Sequence, residues 1–191
     1  MARRLQAYTH QVEFVDGDAS FSVLTSYTKG QDLFEVRTDT GAVCSLRHTS
    51  TTLTIYGVDE RGRNVTVRLA GEGEDVRGEL QVAGNLFHAS EVATKTMPSL
   101  LAQVSAAGIS RESLPKSLAL TRLARKMRAE HKLVSLLVGH GKLAAARKTY
   151  CESVCACCEK ASWFSPWCCI SCGSCDYFEV PLANKFEMLV G

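Results

Sequence analysis

The chemistry this chain carries is concentrated in one segment: Cys151-Glu-Ser-Val-Cys155-Ala-Cys157-Cys158, then Glu159 to Trp167, then Cys168-Cys169-Ile-Ser-Cys172-Gly-Ser-Cys175. Eight of the nine cysteines fall here, and Cys44 is the ninth. Thiolates are the soft ligands that zinc, Cu(I) and iron–sulfur clusters select, and four of them at tetrahedral geometry close a structural site. Cys155-x2-Cys158 and Cys169-x2-Cys172, ten residues apart, have paired-knuckle zinc spacing. Cys169, Cys172 and Cys175 also have the close spacing of iron–sulfur ligands. Two vicinal pairs, Cys157-Cys158 and Cys168-Cys169, leave several ligand sets in competition.

The same residues can also be read as cross-links. Cys151, Cys155 and Cys158 are spaced by four and three, and so are Cys168, Cys172 and Cys175. On a helix each triplet lies along one stripe, and Phe164-Ser165-Pro166 is a natural turn between two such helices. In an antiparallel hairpin Cys151 would face Cys172 and Cys155 would face Cys168. That arrangement is similar to twin Cys-x3-Cys helical hairpins stapled by two disulfides, over residues 151 to 172 only. It leaves Cys157, Cys158, Cys169 and Cys175 unassigned. Trp163, Phe164 and Trp167 at the tip would form an exposed aromatic patch suited to a partner or a bilayer surface. A cysteine-rich, aromatic C-terminal segment behind a long N-terminal part also resembles the layout of a bacteriocin-like antimicrobial-peptide precursor. That layout implies a carrier or immunity role for residues 1–110. The Cys151-x3-Cys155-x2-Cys158 spacing matches radical S-adenosylmethionine enzymes too. That reading fails, because only 33 residues follow Cys158 and Cys157 stands where an aromatic residue is usual.

The elements that must position this segment change character along the chain. Residues 1–90 read as an antiparallel β domain: a meander, barrel or sandwich. The expected runs are Val12–Val15, Phe21–Ser26, Leu33–Arg37, Ala42–Ile55, Val65–Leu69 and Glu79–Val82, punctuated by Gly and Asp turns. From Glu91 the pattern is helical, with Pro98 and Pro115 suited to first turns and Ser113 to an N-cap. Leu120, Leu123, Met127, Val134 and Val138 make one apolar stripe, which Gly139-His140-Gly141 ends. The expected divisions are a β domain (1–90), a basic helical connector (91–150), a Cys-rich helical-hairpin or knuckle module (151–178) and a tail (179–191). The fold class is α+β.

Charge is unevenly spread. Residues 111–150 hold ten Lys/Arg against two acidic residues, between two segments of net −3. Arg122, Arg125, Lys126 and Arg128 beside the apolar stripe suit a protein or anionic partner, nucleic acid or a membrane surface. The plainer reading is a solvated outer face, which the charge patterning favours. Nothing resembles a secretory leader or a membrane span, so the default location is cytoplasmic, with export by a signal-independent route as the alternative. Cys44 reads as a buried apolar cysteine, His131 as a packed histidine and His140 as a weak ligand candidate. His10, His48 and His88 share no spacing relation. No phosphate loop, catalytic triad or carboxylate pair stands out, so a non-catalytic protein is expected.

The leading expectation is thiolate metal binding by Cys151, Cys155, Cys157, Cys158, Cys168, Cys169, Cys172 and Cys175, with zinc ahead of an iron–sulfur cluster or Cu(I). The alternative is a precursor or effector whose disulfide-stapled hairpin is the active part.

Overall fold

The computed structural model describes residues 8–28, 30–130, 149–160 and 162–178. Eight strands run in order: β1 (Tyr8–Asp16), β2 (Ala19–Thr28), β3 (Gln31–Thr38), β4 (Val43–His48), β5 (Thr52–Val58), β6 (Asn64–Glu72), β7 (Asp75–Val82) and β8 (Asn85–Val92). Each pairs antiparallel with its neighbours in sequence, giving one sheet of order β1 to β8. The sheet is an open meander rather than a closed barrel or a two-sheet sandwich, with β1 and β8 at its edges.

Alternation builds a single apolar face. Phe21 and Val23, Phe34 and Val36, Cys44 and Leu46, Leu53 and Ile55, Val65, Val67 and Leu69, and Val76, Leu80 and Val82 are all buried. Their intervening neighbours point to the other face, as strand geometry requires. The registers join these residues into rows. One runs Val23, Val36, Cys44, Gly57, Val65, Val82; another runs His48, Leu53, Leu69, Gly78. Two boundaries differ from expectation. The run Ala42–Ile55 is two strands, because Thr49, Ser50 and Thr51 form a turn without Gly or Pro. β8 has no apolar alternation to read, since this edge strand is exposed along most of its length.

Helices cover the apolar face. α1 (Ala93–Ala106) lies on β7 and β8, α2 (Leu118–Glu130) follows the 3-10 turn Arg111–Ser113, and α3 (Thr149–Cys158) and α4 (Ser165–Phe178) form the Cys-rich hairpin. α3 packs on β6, β7 and α1, while α4 packs on β4, β5 and α2. One buried cluster runs through sheet, α1, α2 and the cysteine helices without a break. Pro98 is the sixth residue of α1, not in its first turn. The helix starts earlier because Thr96 Oγ1 donates to the carbonyls of Val76 (2.8 Å) and Glu91 (3.1 Å), tying the first turn to β7. Gly78 permits that contact, since a Cβ there would lie 2.8 Å from both Thr96 Cγ2 and Leu100 Cδ1.

The cap of α2 is Ser117 rather than Ser113. Ser117 Oγ accepts from Leu120 N–H at 3.2 Å and donates to Glu60 at 2.7 Å. Ser113 closes the 3-10 turn instead. Leu120 and Leu123 of the expected stripe are buried. The Met127 side chain, Val134, Val138 and the Gly139-His140-Gly141 break lie outside the described residues.

Asp59 anchors this helix to the sheet. Its buried carboxylate accepts from the Arg61 and Arg63 amides (both 2.9 Å), the Arg63 guanidinium (2.6 Å) and the Lys116 amide (3.0 Å). Burial pushes the Asp59 acid up, but the donors of Lys116, Arg63 and Arg61 outweigh it and hold it below its ordinary value. A group depressed in the folded state stabilises fully above its unfolded value and loses that contribution as pH falls through its folded value. Asp59→Ala is therefore expected to cost about 3–5 kcal/mol near neutrality, as removal of one member of a buried pair does. Urea unfolding at a series of pH values checks both parts. The loss of stability below about pH 4 should be shallower in Asp59→Ala than in the parent.

Candidate functional site

Every cysteine of the dense segment is in a disulfide, and every disulfide joins α3 to α4. The pairs are Cys151–Cys175, Cys155–Cys172, Cys157–Cys168 and Cys158–Cys169, with Cα separations of 6.0, 4.8, 5.8 and 4.6 Å. These lie within the span a disulfide accepts. The expected pairing of Cys151 with Cys172 and Cys155 with Cys168 is corrected: the second helix sits three or four residues further along. Cys175, Cys172 and Cys169 meet Cys151, Cys155 and Cys158 in turn. The vicinal cysteines are explained by the same register, because Cys157 and Cys168 close a second ladder beside the first. A four-thiolate zinc site, a Cu(I) cluster or an iron–sulfur cluster would draw on the sulfurs these bonds occupy.

The aromatic tip faces inward. Phe164 and Trp167 are fully buried and Trp163 is partly buried, so the exposed patch expected from the sequence is corrected. Phe164 stacks on Trp167 with ring centroids 6.0 Å apart and planes 16° apart, and Trp163 tilts against Phe164 at 5.4 Å. Trp167 lies flat over Gly57 of β5. A Cβ on Gly57 would fall 2.7 Å from Trp167 Cδ1 and 2.8 Å from Cε2. The indole Nε1 donates to the Val43 carbonyl at 3.1 Å. A buried indole N–H usually finds a partner, and for Trp167 the sheet supplies it. Tyr150, Val154 and Ile170 complete the hairpin's buried apolar surface.

A second contact joins hairpin and sheet. His48 ends β4 on the inward side and is 2 % exposed. Its Nδ1 lies 3.4 Å from Tyr150 Oη, its Nε2 lies 3.2 Å from Ser174 Oγ, and Tyr150 Oη donates to the Thr49 carbonyl at 3.0 Å. One ring nitrogen of His48 and the sulfurs of Cys151 and Cys175 fall within 4.8 Å of one another, a grouping of the size a metal ion needs. Sequence spacing did not single out His48. Its signal was a polar residue at an inward position, two after Leu46.

The basic surface is partly spent on the protein itself. Arg122 pairs with Asp18 in the β1–β2 turn (2.5 Å) and Lys126 with Asp16 at the end of β1 (3.0 Å). The hydrogen bond and charge of Arg122 hold the Asp18 carboxyl below its ordinary value. Arg125 is exposed, and the Arg128 side chain lies outside the described residues, as do His131 and His140. Cys44 is a free, buried thiol, pushed up by burial first and by the Glu35 charge second, which makes it unreactive. No described helix is long and apolar enough to cross a membrane. Compared with protein-family models, curated proteins and solved structures, the chain matches none.

Proposed function

We propose that this protein is a carrier with its cargo attached: a four-disulfide helical hairpin, residues 149–178, that acts as a bacteriocin-like effector, held inert on a sheet that covers its apolar face. One observation carries the reading. All eight cysteines are spent inside the hairpin, and none ties it to the sheet. A segment stapled only to itself keeps its shape when separated, even though its apolar face is part of the same buried cluster as the sheet. The face it turns to the sheet, with Tyr150, Val154, Phe164, Trp167 and Ile170, is the kind of apolar patch that marks a partner or membrane contact once uncovered. The sheet then serves as carrier and, when it rebinds the hairpin, as immunity domain. Stapling implies maturation in an oxidising environment, because reducing cytosol keeps thiols reduced. Zinc, iron–sulfur or Cu(I) binding through four thiolates is the reading this arrangement supports less well, since the stapled hairpin offers none.

The test begins with the full chain purified under oxidising conditions and nicked with trypsin, for which the sequence offers Lys142, Arg147 and Lys148. It also offers the exposed Lys160 between the two helices, where a cut leaves the halves joined by the four disulfides. The hairpin is expected to remain with the sheet until denaturant is added. It should then separate as one fragment lacking free thiols, inhibit the growth of indicator bacteria, and lose that effect when the sheet fragment is returned. Eight titratable thiols in the purified chain, or a fragment inactive against a broad panel of indicators, would overturn the reading.

A further inference from the structure

The contact between His48 and the first disulfide has a consequence for the chain before it is stapled. Cys151 and Cys175 are 1 % and 0 % exposed, as deeply buried as Cys157 and Cys168, whereas Cys155, Cys158 and Cys172 are only partly buried. Among the described residues, Cys151 and Cys175 are the pair grouped with an imidazole: the ligand atoms of His48, Cys151 and Cys175 lie within 4.8 Å of one another. His48 is held by two hydroxyls, Tyr150 Oη and Ser174 Oγ, which come from the same two helices as the cysteines. When one ring nitrogen takes an ion in place of its hydroxyl, the hydroxyl on the other nitrogen remains as the outer hydrogen bond that fixes ring orientation at histidine metal sites. Two thiolates and a neutral imidazole around a divalent ion form a group of zero net charge, which a buried position tolerates where a lone cation would not be.

We propose that in the reduced chain His48, Cys151 and Cys175 bind a single zinc-type divalent ion, with the fourth position taken by Ser174 Oγ or a water, and that this ion and the Cys151–Cys175 disulfide exclude each other. Binding releases the two thiol protons to solvent. Closing the staple requires the ion to leave; a low-molecular-weight disulfide then takes two electrons and two protons from the pair and becomes two thiols. The proposal concerns the reduced form, so it stands whether or not the stapled hairpin is an effector.

The experiment uses the full chain reduced by a phosphine without oxygen, titrated with Co2+ as a spectroscopic probe and with Zn2+ for native mass. One ion per chain is expected, with a thiolate-to-cobalt charge-transfer band and with Cys151 and Cys175 shielded from iodoacetamide only when metal is present. His48→Gln should weaken Co2+ binding by at least the roughly 10–100-fold that loss of a mere outer-shell partner costs. Cys155→Ser with Cys172→Ser should leave it intact. Zinc should also delay closure of Cys151–Cys175 by glutathione disulfide, and a chelator should restore it. Shielding of Cys157, Cys158, Cys168 or Cys169 instead, unchanged affinity in His48→Gln, or no cobalt–thiolate band would overturn the proposal. The shielding map is read on the parent chain, so it decides the matter even if His48→Gln fails to fold.

Discussion

Trp167→Ala is expected to cost about 3–5 kcal/mol, the range for deleting a large buried aromatic side chain. The residue is completely buried, it stacks on Phe164, and its indole N–H donates to the Val43 carbonyl, so truncation leaves a cavity and removes a buried hydrogen bond. The partner site on the sheet gives the prediction an internal control. Gly57→Ala puts a methyl group into the indole ring, and neither the strand backbone nor a rigid bicyclic ring yields easily. It should cost about 1–3 kcal/mol, as overpacking does. In the Trp167→Ala background the same methyl meets empty space and should cost close to nothing. The two changes are therefore expected to be strongly non-additive, as residues in direct contact are. Urea unfolding of the four chains in the cycle measures this. Additive costs would mean that the hairpin is not docked through Trp167 over Gly57.

Complete reduction of the disulfides is expected to lower stability by more than about 3 kcal/mol. The widest staple, Cys151–Cys175, spans 24 residues. In the chain-entropy account, closing a loop of that size alone removes roughly 3.5 kcal/mol of disorder from the unfolded state. The others span 17, 11 and 11 residues inside it. Because these loops nest within or overlap one another, their contributions do not add. Loss of one inner pair, as in Cys155→Ser with Cys172→Ser, should cost less than its isolated loop would suggest. Denaturant midpoints of the oxidised, reduced and singly deleted chains check the ranking. Hydrogen exchange locates the damage: α3 and α4 should lose protection on reduction well before β3 to β6. Equal loss across sheet and hairpin would show that the staples support the whole core rather than the hairpin.

These effects rest on features that differ in how far they could be read in advance. Strands β2, β3, β6 and β7 were legible because one face of the sheet is buried and the other is wet, which writes period-two alternation into residues such as Phe21, Val23, Phe34 and Val36. The split between β4 and β5 was not legible, because Thr49-Ser50-Thr51 turns the chain with β-branched and hydroxyl side chains that also suit a strand. Nor was β8, whose edge position removes the need for a buried face. In the helices, Leu120 and Leu123 announced themselves by spacing. The cap at Ser117 did not, since Ser113 is as good a capping residue locally and only Glu60 and Asp59, brought over from the sheet, favour the later start.

The Cys-rich segment divides along the same line. Residue types and spacing by themselves offered, beside a metal knuckle, two helices facing each other through sulfur, because helical periodicity is local and four-and-three spacing places each triplet on one stripe. They also established the α+β class and the position of the one reactive segment. Which sulfur meets which depended on the helix offset. The docking of Trp167 over Gly57 holds that offset. The direction of the aromatic tip, and the meeting of His48 with Cys151 and Cys175 across more than a hundred residues, were likewise decided only in three dimensions. Local periodicity tells a side chain which way to face on its own element. What it faces is settled when the elements pack.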